Sequence, residues 1–167
     1  MFEHWPPGVF RYLFIGQAVI PFFINVVVNI ALGVLAFRGQ EFVSTWAMDK
    51  GAVADSIGTC FFLPFITCLI ATPIVRRHVE KGVVNRVSPN AAPQWIRLIN
   101  NRLALRAAQF GFIGIVLFAG PVCGLYALLA DDAIETVRFI TIKAIFAGVF
   151  GFFVTPLIAF VALSERR

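Results

Sequence analysis

The sequence is poor in charge. Only 14% of its 167 residues are Asp, Glu, Lys or Arg, against about 25% in an ordinary soluble domain. Its two histidines, His4 and His78, stand outside every long apolar run, so no histidine pair could ligate a haem inside a bilayer. The three cysteines, Cys60, Cys68 and Cys123, sit singly within apolar runs, with no CxxC or CxxH spacing. That argues against a metal site and for thiols acting as small buried hydrophobes. No P-loop and no nucleophile–base set is visible. These gaps point away from an enzyme and imply neither a cofactor nor a metal.

What fills the sequence is apolar. Hydrophobic residues make up 59% of the chain, with 19 Phe, and the mean hydropathy is +0.86. A soluble domain of this length leaves too much surface in water to hide such an excess, whereas lipid tolerates it. The N-terminal MFEHWPPGVFR carries Glu3 and two prolines before a long apolar run, which does not resemble a cleaved signal peptide. Four runs reach the roughly 20 residues needed to cross about 30 Å of hydrocarbon: residues 13–37, 54–75, 107–130 and 139–163. The composition therefore predicts an all-α integral membrane protein of four transmembrane helices.

The basic residues divide unevenly. Arg11, Arg76, Arg77, Lys81, Arg86, Arg97, Arg102, Arg106, Arg166 and Arg167 fall on one side of the predicted membrane, and Arg38, Lys50, Arg138 and Lys143 on the other. The positive-inside rule then puts both termini and the central loop in the cytoplasm. The net charge of +5 flanks apolar segments, which suggests anionic lipid headgroups as its partner rather than nucleic acid. In the central loop, Gly82, Pro89 and Pro93 predict irregular chain. From Gln94 to Arg106 apolar and basic residues alternate at near-helical spacing, predicting a short amphipathic helix in the inner interface. Trp95, Arg97, Arg102 and Arg106 would meet headgroups there.

The two halves resemble each other. FITCLIA (65–71) matches FVTPLIA (153–159) at five of seven positions, 88 residues apart. At a separation of 91, Gly33 meets Gly124, Ala36 meets Ala127 and Arg11 meets Arg102, while Trp5 sits near the match to Trp95. The chain then divides into a two-helix repeat (1–82), a loop with the interfacial helix (83–106) and a second two-helix repeat (107–167). Repeats of two spans each share one orientation, with a pseudo-two-fold axis along the membrane normal.

The first half reads FINVVVNIALGVLAF, then Trp46, then LPFITCLIATPIVRRHVEKG. Over about 65 residues it resembles a two-helix family of bacterial membrane proteins, the domain of unknown function 2798. The A-P-L-V-R-R-like string ending that family's second helix is matched by Ala71, Pro73, Ile74, Val75, Arg76 and Arg77. The second half departs from it, with Val161 where Pro73 would fall. The resemblance implies a bacterial inner-membrane architecture and no activity.

A few polar residues stand within the spans. Asn25 and Asn29 lie on one helical face, where an amide in hydrocarbon needs a partner. Interhelical hydrogen bonding is one reading, and a solute-lining role shared with Thr67 and Thr155 is another. Asp55 and Lys143 match at the separation of 88. They either reach separately to water or form an ion pair across the pseudo-two-fold axis. Gly111, Gly114, Gly120 and Gly124 in the third span, and Ala144, Ala147, Gly148 and Gly151 in the fourth, predict close packing of those two helices. Function is then expected to be binding or assembly, as an accessory or self-associating module. The alternatives are a small oligomeric transporter or channel and a lipid-modifying enzyme.

Overall fold

The computed structural model describes residues 8–88 and 93–165. His4, Trp5, Pro89, Arg166 and Arg167 lie outside them. The fold is all-α, with four helices long and apolar enough to cross a membrane: α1 (Val9–Ala36), α2 (Ala52–Glu80), α3 (Leu103–Leu129) and α4 (Thr136–Leu163). At about 1.5 Å per residue each is some 40 Å long, enough to cross the hydrocarbon and enter both headgroup layers. Large apolar side chains cover the outside; Val116 and Leu128, for example, are 80% and 86% exposed. Water would not tolerate so continuous an apolar surface. The protein is an integral membrane protein.

The helices run beyond the apolar runs at the arginine-rich end. α2 continues through Arg76 and Arg77 to Glu80, because arginine is a good helix former and its head can reach the interface while the backbone stays helical. In α1 the segment Tyr12–Val19 is wound as a π-helix, and the Ile20 N–H bonds the carbonyl of Ile15. Pro21, which follows, has no N–H to donate, and its ring would crowd the carbonyl one α-turn back. A wider turn ahead of it relieves both problems.

Between helices, two short strands, β1 (Phe42–Ser44) and β2 (Ala133–Glu135), pair antiparallel at one end of the bundle. Val43 stands opposite Ile134, a separation of 91 residues. The Thr45 N–H donates to the Asp132 carbonyl, and the Thr136 N–H donates to that of Glu41, both at 2.9 Å. Each bond maps onto the other at that same separation. Strands this short carry too few residues for alternation to be read in the sequence.

The helices do not pack as two self-contained hairpins. α1 lies mainly against α4, and α3 against α2, while α2 and α4 meet in the middle. The halves are interlocked, with α4 the most buried helix and α1 and α3 the most exposed. A core of Phe37, Val43, Val122, Tyr126, Ile134 and Phe139 lies beneath the strands. A second, of Val9, Leu13, Val75, Val87 and Leu163, closes the arginine-rich end.

The expected close packing of α3 on α4 through small residues is corrected. A Cβ added at Gly120 or Gly124 would meet nothing within 4 Å, so this GxxxG faces outward. α3 and α4 instead meet through large rings, Phe118 on Phe150 (centroids 4.5 Å apart) and Tyr126 on Phe139 (6.3 Å). The glycines that do bring backbones close use other partners. Gly111 and Gly114 face Phe61 and the Cys60 carbonyl of α2, while Gly148 and Gly151 face Phe22, Val26 and Asn25 of α1.

Candidate functional site

Two polar constellations stand inside this apolar frame. The first lies toward the strand end. Because α1 packs on α4 rather than on α2, a groove remains between α1 and α2, with Lys143 of α4 at its back. Its volume is about 490 Å³. α1 contributes Asn25, Val28, Asn29, Leu32 and Ala36, and α2 contributes residues from Asp55 to Thr67.

Lys143 is buried two turns into α4, its side chain only 5% exposed, and its Nζ lies 2.6 Å from Oδ2 of Asp55. The contact is an ion pair at an angle outside hydrogen-bond alignment. Asp55 stands in the first turn of α2, where the helix dipole favours a negative charge. Lys143, two turns into α4, has that carboxylate as its counter-charge. The structure thus brings together two residues separated by 88 positions in sequence, at the contact of the two central helices.

Asn25 and Asn29 each turn an amide nitrogen back onto their own helix. The Asn25 Nδ2 donates to the Pro21 carbonyl at 2.8 Å, and the Asn29 Nδ2 donates to that of Asn25 at 2.9 Å. Their side-chain oxygens carry no hydrogen bond among the described residues, and both residues line the groove. Thr67 lines it as well, but Thr155 does not. Thr155 is buried, its hydroxyl without a hydrogen-bond partner among the described residues, which corrects the expectation of a shared lining.

The second constellation closes the arginine-rich end. Glu165, just past α4, accepts two hydrogen bonds of 2.9 Å from the Nε and Nη2 of Arg76. It also accepts one from Nη1 of Arg106. The Arg106 Nε donates to the Asn100 carbonyl at 3.0 Å. Arg106 is 1% exposed, so its expected headgroup role is corrected: it ties the start of α3 to the end of α4. Burial alone would raise the Glu165 carboxyl, but hydrogen bonds from Arg76 and Arg106, with their charges, hold it below its ordinary value.

The expected amphipathic helix is also corrected. Gln94–Leu98 is a 3₁₀ turn, and regular helix resumes only at Leu103 with the start of α3. The chain then breaks before α3, where the Asn100 side-chain oxygen accepts from the Arg102 N–H at 2.8 Å. An asparagine that caps its own neighbour in this way favours a turn over a continuing helix. Trp95, Arg97 and Arg102 remain exposed at this end.

Sequence reasoning missed the Arg76–Glu165–Arg106 cluster. A signal was present: Glu165 is one of only three acids, with Glu3 and Glu80, on a side that carries ten basic residues, and an acid so outnumbered is a candidate partner for a buried arginine. It also missed the 3.0 Å hydrogen bond between the buried Ser56 and Tyr126 hydroxyls. Among known proteins, no family model, curated protein or solved structure matches this chain.

Proposed function

We propose that this chain is a non-enzymatic protein of the bacterial inner membrane that works by binding a partner molecule in the groove between α1 and α2. The observation that carries this reading is the groove itself, an indentation in the hydrocarbon-facing surface lined by Asn25, Asn29, Asp55 and Lys143. Polar groups at such a position are expensive and mark functional sites by default. Both termini face the cytoplasm in this reading, supported by the ten-to-four division of basic residues. The exposed Trp95, Arg97 and Arg102 would then rest on anionic headgroups of the inner leaflet.

The chain is further proposed to be a fused duplication of a two-helix unit similar to the domain of unknown function 2798. Support comes from the strand pairing at a separation of 91, the Asp55–Lys143 contact at 88, and the exchange of packing partners between halves. The polar lining also favours a second reading, a small oligomeric transporter in which another copy completes a path. Reconstituted vesicles whose permeability rises with the protein and falls with Gly58→Phe would support that reading over simple binding.

Binding is tested by genetically encoded photo-crosslinking. A diazirine side chain at Phe62, in the groove, should capture one discrete molecule through purification. The same group at Phe112, on the outer face of α3 and equally exposed, should capture mixed bulk lipid. Identical products at both positions would refute the reading.

A further inference from the structure

The two halves have diverged at the groove. Under the proposed duplication, residues of α2 and α4 correspond at a separation of 88, and those of α1 and α3 at 91. The crevice between α3 and α4 that matches the groove is filled by the chain's own rings. Phe118 of α3 lies with its centroid 4.5 Å from Phe150 and 6.5 Å from Phe146. Phe146 is matched by Gly58 of the groove, where an added Cβ would meet nothing within 4 Å; Phe118 is matched by the outward-facing Val27, which does not line the groove, and Phe150 by Phe62, which does. The polar lining has changed in the same place: Asn25, Asn29 and Thr59 are matched by Val116, Gly120 and Ala147. An amide without its full set of partners costs stability. Among the described residues, the open groove and two such amides stand side by side in the first half, where the matching crevice of the second half is filled by rings. Apolar walls with a few convergent polar groups, at a volume within the roughly 300–1,000 Å³ of small-molecule pockets, describe a ligand site.

The lining defines the ligand's chemistry. The groove opens sideways between α1 and α2, so the ligand arrives from the lipid. Its walls run from Asn25 to Ala36 and from Asp55 to Thr67, about 17 Å at 1.5 Å per residue, which is close to half of a roughly 30 Å hydrocarbon core. Val28, Leu32, Phe62, Leu63 and Ile66 offer an apolar track over that length. Asn25 and Asn29 each commit one amide N–H to their own backbone, which leaves the oxygen and the second N–H of each for a head that both donates and accepts, as a hydroxyl does. The Asp55 carboxylate is balanced by Lys143, which leaves no net charge to draw an ionic head.

We propose that the groove binds a single membrane-dissolved lipophile with an uncharged, hydroxyl-bearing head, its hydroxyl donating to one asparagine oxygen and accepting from the other asparagine's free N–H, and its chain lying along Leu32, Phe62 and Ile66. This inference rests on the binding role proposed above. The test uses the purified full-length protein and four probes of equal chain length: a fatty alcohol, the fatty acid, the alkylamine and the alkane. Binding is read by native mass spectrometry. The alcohol should bind at least tenfold more tightly than each of the others. Asn29→Leu, or Thr59→Val if that variant does not fold, should reduce the alcohol's advantage several-fold while the alkane still binds. Gly58→Phe should abolish binding of all four. An acid or amine that matches the alcohol, or no preference among the probes, would overturn the headgroup assignment and leave the groove as an apolar site. If no probe binds the wild type, or if Gly58→Phe binds them all equally, the groove reading falls, and this inference with it.

Discussion

Neutralising Asp55 should destabilise the protein more than neutralising Lys143, and neutralising both should cost less than Asp55→Asn alone. The two charges are 2.6 Å apart. At an effective dielectric of about 20 their attraction is about 6 kcal/mol, most of it offset by desolvation of the pair. Exposure decides how the loss divides. The Lys143 side chain is 5% exposed and that of Asp55 25%. Asp55→Asn leaves an ammonium buried without a counter-charge, close to the regime of about 3–5 kcal/mol for breaking a buried pair. Lys143→Met leaves a carboxylate that water can partly reach, for which we expect about 1–2 kcal/mol, between the exposed and buried limits. The double variant removes the unpaired charge and should recover about 2 kcal/mol relative to Asp55→Asn. The assay is loss of helical circular dichroism during SDS titration in mixed micelles. Strictly additive losses would refute the reasoning and would mean that each side chain reaches solvent on its own.

Three further outcomes follow from the geometry. Glu165→Gln should cost about 3 kcal/mol by leaving Arg106 buried and unpaired. Because the folded carboxyl is held below its ordinary value of 4.5, its contribution is full above that value and is lost as pH falls through the lowered one. Wild-type stability should therefore drop with acidification below about pH 4.5, and Glu165→Gln should flatten that limb of a pH–stability curve. Gly148→Leu should destabilise by about 1–3 kcal/mol through overpacking, since even a Cβ there would lie 2.6 Å from Val26, whereas Gly120→Leu should change thermal stability by under about 0.5 kcal/mol. An impermeant maleimide applied from outside should label a single cysteine at position 47 and not one at position 85; the reverse would invert the proposed topology.

The four spans were legible because lipid solvation needs only composition and length, and both are local properties of the chain. Helix ends were less so. Arg76 and Arg77 read as terminators, but a helix can carry arginine into the interface. The Asp55–Lys143 contact was legible through repetition, because a two-fold relation brings equivalent positions together at the axis. Packing partners were not. Gly120 and Gly124 satisfy the small-residue pattern as well as Gly111 and Gly114 do, and nothing in the spacing says which stripe faces a neighbour. Arg106 reads like its exposed neighbours Arg97 and Arg102. Its burial depends on Glu165, 59 residues away, and on a chain break at Asn100. The groove could not be read at all, since it exists only because α1 crosses onto α4. Its trace in sequence, Gly58, Asn25, Asn29 and Thr59 where the other half carries Phe146, Val116, Gly120 and Ala147, gains meaning only once that crossing is known.

The central claim, an occupied lateral groove in one half only, is tested most directly by native mass spectrometry of protein extracted from its own membrane in mild detergent, with no ligand added. The wild type should carry one non-protein mass per chain, and Gly58→Phe, folded to the same helical content, should carry none. A bare wild-type chain, or the same retained mass on both proteins, would contradict the account.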